Sequence, residues 1–168
     1  MKLKRVTLTP PETIEIDAPH IFLGGPIQGA PDWQAEAIDI IHDYDSDIVV
    51  ASPRYDYSDR KFVYEKQVDW ETHYLRRAAK HGSILFWLAN QVEATPSRSY
   101  GQTSRFEFGE WKKSHELGQA KIAVGAEPDF GNVRYITRRL SQDCPEIKIH
   151  NNLVDLCKNA VDLAQIKN

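Results

Sequence analysis

Short apolar runs alternate with longer amphipathic segments along most of this chain. The runs predict strands covered on both faces, because their apolar residues do not alternate with polar ones. These predicted strands cover residues 20–23, 47–51, 83–88, 121–125 and 147–149. The segments between them have helical spacing, with one predicted helix that starts at about residue 32 and others at about 64–80, 104–117, 132–140 and 153–166. This order predicts an α/β fold with a doubly wound parallel sheet of about five strands and helices on both faces.

The first 18 residues depart from that pattern. They hold two extended pieces interrupted by prolines, and the second piece, Thr13–Ile16, alternates between polar and apolar positions. Alternation next to prolines is typical of an edge strand or of an ordered arm. The sequence shows no internal repeat and no linker, so we expect residues 1–168 to form one domain that includes this arm.

Ligands of doubly wound sheets bind beyond the carboxyl ends of the strands, where the strand order reverses. Three segments should meet there, at residues 24–29, 52–61 and 90–104. The first is rich in glycine, which lets the backbone approach a ligand or merely form a tight turn. It lacks the lysine of a P-loop and the glycine spacing of a dinucleotide fingerprint. The third is long for a compact domain, which favours a functional role.

Glu107 is the first candidate catalytic residue. It follows the long loop in the first turn of a predicted helix, where the helix N-terminus would favour the ionised carboxylate that a nucleophile requires. Phe106 and Phe108 flank it. The alternative is structural, because Ser104 and Glu107 have the spacing of a capping box.

Glu71 is the second candidate. It shares one face of a predicted helix with Leu75 and Ala78, and an acid on a face that packs on the sheet is costly unless it is paired or catalytic. A salt bridge to an arginine such as Arg105 or Arg76 is the structural alternative. Two carboxylates at one crevice suit nucleophilic displacement at a sugar carbon with acid–base help.

Further polar and aromatic residues could contact a sugar or a base. Trp70, next to Glu71, could offer a flat surface to a base. Arg54 and Tyr57 lie on the second loop and are candidate substrate contacts, although tyrosine-rich loops are common.

Composition excludes several classes of protein. The net charge is −3 and the basic residues are scattered, which argues against nucleic acid as a partner. The two cysteines and six histidines show no ligand spacing, so we expect no metal and no cofactor. No apolar run is long enough for a membrane span or a signal peptide, so we expect a cytoplasmic protein.

Three segments, taken in order, resemble the nucleoside 2-deoxyribosyltransferase family, especially its divergent branch. They are residues 22–29, the pair Trp70-Glu71, and residues 104–111, and they fall within residues 20–125. The resemblance implies a flavodoxin-like sheet, a covalent glycosyl intermediate on Glu107, and a homo-oligomer. It also implies that Glu71 is the acid that serves the base. The substrate-binding candidates are then Gly25, Pro26, Gln28, Arg54, Tyr57, Trp70, Ser104 and Arg105.

Two positions bear on the substrate. Related deoxynucleotide N-hydrolases carry an arginine in the first loop and a phosphate-binding serine before the nucleophile, where this chain has Gln28 and Gly101. We therefore expect nucleosides to be preferred over their 5′-monophosphates. The predicted reaction is transfer of a (2-deoxy)ribosyl group between nucleobases, with nucleosides and free bases as substrates. Hydrolysis of a nucleoside or nucleotide, and a non-catalytic nucleotide-sensing module, are the alternatives.

Overall fold

The fold was analysed in a computed structural model that describes residues 4–166. Within those residues, six strands form one parallel sheet in the order β1-β3-β2-β4-β5-β6. The strands are β1 (Thr7–Leu8), β2 (His20–Gly24), β3 (Val49–Ala51), β4 (Gly82–Leu88), β5 (Ile122–Ala126) and β6 (Ile149–His150). The predicted α/β fold is confirmed. Strands β2 to β6 have the flavodoxin-like order, and β1 adds an edge strand that the sequence did not indicate.

The helices are α1 (Trp33–Tyr44), α2 (Tyr64–His81), α3 (Gln102–Glu116), α4 (Val133–Asp143) and α5 (Leu153–Gln165). Two of them begin where a polar side chain caps the first turn. Asp32 accepts a hydrogen bond from Ala35 N at 3.2 Å, and Asn152 accepts one from Asp155 N at 2.8 Å. None of the helices in the described part of the chain is long and apolar enough to cross a membrane.

The two faces of the sheet are covered by different helices. Successive side chains of a strand point to opposite faces, and β4 divides its apolar residues accordingly. Ile84 and Phe86 pack with α2 and α3 on one face, and Leu85 and Trp87 pack with α1 and α5 on the other. Because both faces of β4 are buried, its sequence is apolar without alternation, as predicted.

Residues 13–16 form an ordered arm rather than an edge strand. The hydroxyl of Tyr74 accepts a hydrogen bond from Ile14 N at 2.8 Å and donates one to Ile14 O at 3.1 Å. Arg77 donates to Ile16 O at 2.7 Å. Side chains of α2 thus bond the backbone of the arm, which needs no neighbouring strand. Residues 1–3 of the predicted arm, and residues 167 and 168 of the predicted domain, lie outside the described residues.

The strand order reverses between β2 and β4, which are direct neighbours. The chain leaves β2 toward α1 on one face and leaves β4 toward α3 on the other. Their connecting loops are bonded together, because Gly29 O accepts hydrogen bonds from Val92 N at 2.8 Å and Glu93 N at 3.2 Å. The crevice between these loops is the position where doubly wound sheets bind ligands.

Candidate active site

A cavity of about 250 Å³ lies in this crevice, at the carboxyl ends of β2 and β4. Its wall combines the loop after β2, the loop after β3, one face of α2, the loop after β4 and the first turns of α3. The candidates from the sequence that line it are Gly25, Pro26, Gln28, Tyr57, Glu71, Ser104 and Glu107. The three loops expected to meet therefore do meet, and both candidate catalytic glutamates contribute to the same cavity.

Glu107 lies in the second turn of α3 and does not cap the helix. The N-cap of the helix is Gly101, which has a positive φ of 64°, and Ser104 is buried inside the helix. The capping-box alternative is therefore wrong. The expected preference for the ionised form is also wrong: burial, together with the charges of Glu71 and Glu110, raises the pKa of Glu107 to about 8. The helix dipole acts mainly within the first turn, so it does not offset the burial.

Glu71 faces the cavity from α2 and is held by an amide. Gln67 Nε2 donates to Glu71 Oε1 at 2.7 Å and to Pro53 O at 2.9 Å. Burial raises the pKa of Glu71, and the hydrogen bond from Gln67 opposes that rise. The salt bridge considered from sequence is replaced by this contact, since Arg105 donates instead to Gly131 O at 2.8 Å.

Tyr57 lies near both glutamates on the loop after β3. Burial first, and then the negative charge of Glu71, raise the pKa of its phenol to about 12, and Glu107 adds to the effect. The hydroxyl therefore stays protonated and can donate a hydrogen bond at neutral pH. Such a donor beside two acids can orient a sugar hydroxyl or a carboxylate.

The glycine-rich turn shapes the cavity through its backbone. Gly25 has φ of 146°, and a Cβ there would lie 2.3 Å from Trp87 O, so only glycine fits. Trp33 Nε1 donates to Pro26 O at 2.9 Å and fixes the next residue of the turn. The segment is thus a tight turn, as the structural interpretation has it, and it forms part of the cavity wall, while its contact with a ligand stays a prediction.

Three predicted contact residues lie away from the cavity. Trp70 is 1% exposed and packs in the core, where Nε1 donates to Glu12 O at 3.0 Å. Arg54 turns toward α1 and forms an ion pair with Asp32 at 2.9 Å. The guanidinium of Arg105 stacks over the ring of Phe130, with Cζ 4.3 Å from its centroid.

Gln67 and Arg98 are two of the cavity residues that were not predicted from the sequence. Gln67 lies one helical turn before Glu71, and that i, i+4 spacing was the available signal. Arg98 belongs to the long loop after β4 and donates to Gln28 Oε1 at 2.9 Å. Only the unusual length of its loop pointed to it.

Among residues 4–166, no three histidine, cysteine, aspartate or glutamate side chains are grouped so that they could hold a metal ion. The side chains that line the cavity offer carboxyl, phenol, amide and guanidinium groups. The two glutamates can supply a nucleophile and an acid, and the tyrosine can supply a hydrogen-bond donor.

Fold and cavity together define a flavodoxin-like α/β protein with a glutamate pair at its switch point. A family model described as nucleoside 2-deoxyribosyltransferase like matches residues 18–130, and the chain belongs to this family. The matched region contains β2 to β5 and every residue that lines the cavity. The resemblance based on three short segments is thus confirmed. No curated protein matches the chain.

Proposed function

We propose that the protein transfers a (2-deoxy)ribosyl group between nucleobases through a covalent intermediate on Glu107. The observation that carries this proposal is the placement of Glu71 and Glu107 in one cavity, each with a raised pKa. A pair that holds one proton near neutral pH supplies a carboxylate nucleophile and a carboxylic acid together. Membership of the family supports the same chemistry.

In the free protein the pKa of about 8 places the shared proton on Glu107 at neutral pH. In the proposed first half-reaction this proton passes to Glu71, and a carboxylate oxygen of Glu107 then attacks the anomeric carbon of the sugar. A C–O bond forms as the N-glycosidic bond breaks, and the departing base takes the bonding electron pair. The proton of Glu71 goes to that base, so it leaves as a neutral molecule. Tyr57 remains protonated and donates to an oxygen of the sugar or of a carboxylate.

In the second half-reaction an incoming base attacks the same carbon. The C–O bond to Glu107 breaks and returns its electron pair to the carboxylate, while Glu71 accepts the proton that the incoming base loses. Both glutamates are then in their starting states. Water in place of the second base would make the reaction a hydrolysis, with free sugar as product.

The decisive experiment traps the intermediate. A nucleoside with a fluorinated sugar forms the glycosyl ester but releases it slowly, so mass spectrometry of the digested protein should find the added sugar on the peptide that contains Glu107. The variant Glu107→Ala should show no adduct while its circular dichroism stays unchanged. A non-catalytic sensing module would instead bind the nucleoside and form no adduct in the wild type.

Product analysis separates transfer from hydrolysis. A 2-deoxynucleoside incubated with a different free base should yield the exchanged nucleoside in chromatography. Accumulation of free base and free sugar, with no exchanged product, would identify a hydrolase. A ribonucleoside tested in parallel shows which sugar the cavity accepts.

A further inference from the structure

Arg98 is the one basic side chain among the described residues that line the cavity. Its Nη1 donates to Gln28 Oε1 at 2.9 Å, and its Nη2 lies 3.5 Å from Thr103 Oγ1. Both acceptors are neutral oxygens. Within residues 4–166, no carboxylate oxygen lies within 4.0 Å of the guanidinium in an ion pair, so its charge is available to a ligand.

The position of Arg98 relative to Glu107 suits a substrate that reaches both. Thr103, which Arg98 contacts, precedes Glu107 by four residues on α3 and shares its face of the helix. Four residues of helix correspond to a rise of about 6 Å. Thr103, the residue of α3 that Arg98 contacts, is thus offset from Glu107 by roughly one helical turn, comparable to the span of a pentose from its anomeric carbon to a group on C5′.

We propose that Arg98 binds the 5′-phosphate of the substrate, so that the transferred or released glycosyl group is a sugar 5-phosphate. This rests on the proposed function, because it assumes that the anomeric carbon lies at Glu107. Arginine can hold a phosphate with two parallel N–H donors. Ser99 and Thr103 also line the cavity and carry hydroxyl groups that could bond the remaining phosphate oxygens.

A phosphate bound in this cavity needs a nearby arginine because of the negative charge on the glutamates. A phosphate near Glu71 and Glu107 would be repelled by their shared negative charge unless a cation lay between or beside them. Neither Gln28 nor Gly101 carries a positive charge, and for this reason the sequence led us to expect a preference for nucleosides. Arg98 supplies the cation from another loop, and the proposal reverses that expectation.

The first test compares a 2-deoxynucleoside with its 5′-monophosphate, using release or exchange of the base as the readout. The wild type should have a kcat/KM for the monophosphate about 10- to 100-fold higher, the scale of a charge-assisted contact. The variant Arg98→Ala should lose most of that advantage, because its loss of kcat/KM on the monophosphate should far exceed its loss on the nucleoside. Arg60→Ala removes an exposed arginine from the loop after β3, outside the cavity wall, and should leave the ratio unchanged.

Two outcomes overturn the proposal. A wild-type preference for the nucleoside would do so. Equal losses on both substrates in Arg98→Ala would also do so, because they would mean that Arg98 merely holds its loop through Gln28. Arg98→Lys, which keeps a cation, should rescue part of the activity on the monophosphate alone.

Binding separates this proposal from the proposed function. Calorimetric titration of Glu107→Gln with 2-deoxyribose 5-phosphate and with 2-deoxyribose requires no turnover. If neither substrate turns over in the wild type, the proposed function fails. Even then, 2-deoxyribose 5-phosphate should bind Glu107→Gln more tightly than 2-deoxyribose does. Adding Arg98→Ala to Glu107→Gln should remove this difference in affinity. Equal binding of the two sugars contradicts the phosphate site whatever the activity is.

Discussion

Gln67 holds Glu71 at the cavity through a hydrogen bond of 2.7 Å from Nε2 to Oε1. The same nitrogen donates to Pro53 O, which can only accept, so the amide presents its N–H groups to both oxygens. A donor to a carboxyl oxygen favours the ionised form, whereas burial favours the protonated form. Burial is the larger of the two effects on the pKa of Glu71. The residue is therefore held in place without being locked in its charged form, which suits the proposed role of an acid that gives and regains a proton.

The first prediction concerns the leaving group. Glu71→Gln keeps the size of the side chain but removes the proton, so natural nucleotides and nucleosides should react about 100-fold more slowly. A nitrophenyl glycoside, whose leaving group needs no proton, should be affected little. Steady-state rates on both substrates test this, with Glu65→Gln on the exposed face of α2 as the matched control. Equal losses on both substrates, with a lower melting temperature, would mean that Glu71 is structural.

A second prediction follows from the coupled acids. The proposed active form holds one proton on the pair, and the pKa of Glu107 is raised to about 8 by burial and by Glu71. Above about pH 8 this last proton is lost, so kcat/KM should fall there, and it should also fall at low pH, where both acids are protonated. In Glu71→Gln the charge next to Glu107 is gone, so the pKa of Glu107 should decrease. The fall near pH 8 should then disappear from the pH profile, and its persistence would contradict the pairing.

The layers of the fold and most of its strands and helices could be predicted, because the sequence patterns that indicate them lie within short segments of the chain. Continuous apolar runs marked the buried strands, and Asp32 marked the start of α1. The edge strand Thr7–Leu8 was missed because a pair of residues is too short to show a period. The start of α3 was misplaced because Ser104 imitates a cap, whereas Gly101 acts through its positive φ.

On α2 and α3, two residues that are adjacent in the sequence can differ in whether they line the cavity, and helix geometry is the reason. Adjacent residues of a helix point about 100° apart. Glu71 therefore faces the cavity while Trp70 enters the core, and Ser104 lines the cavity while Arg105 turns to Phe130. A motif read as a continuous string cannot separate these directions. The side chain of Gln67 could have been found from its spacing to Glu71, but the approach of Arg98 to Gln28 depends on the path of a long loop.

A third prediction compares two glycines. Gly25→Ala should destabilise the protein strongly, because its Cβ would lie 2.3 Å from Trp87 O at a backbone φ of 146°. Gly109→Ala is the control: beyond the neighbouring backbone of its own helix, no atom lies within 4 Å of the added Cβ, and alanine favours a helix by about 0.5–1 kcal/mol relative to glycine. The melting temperature should thus fall for Gly25→Ala and rise slightly for Gly109→Ala. A tolerated Gly25→Ala would contradict the steric role assigned to this turn.

The last prediction concerns the stability that the folded protein loses when the buried Glu107 ionises. Because folding raises the pKa of Glu107 from 4.5 to about 8, the folded protein binds this proton more tightly than the unfolded chain. Stability from Glu107 is therefore fully present below about pH 4.5 and is lost as the pH rises through about 8. Glu107→Gln stays neutral and should melt about 2–6 °C higher than the wild type at pH 8.5, with the two curves converging near pH 5. Glu65→Gln should show no such trend, and a constant difference across this range would contradict the raised pKa.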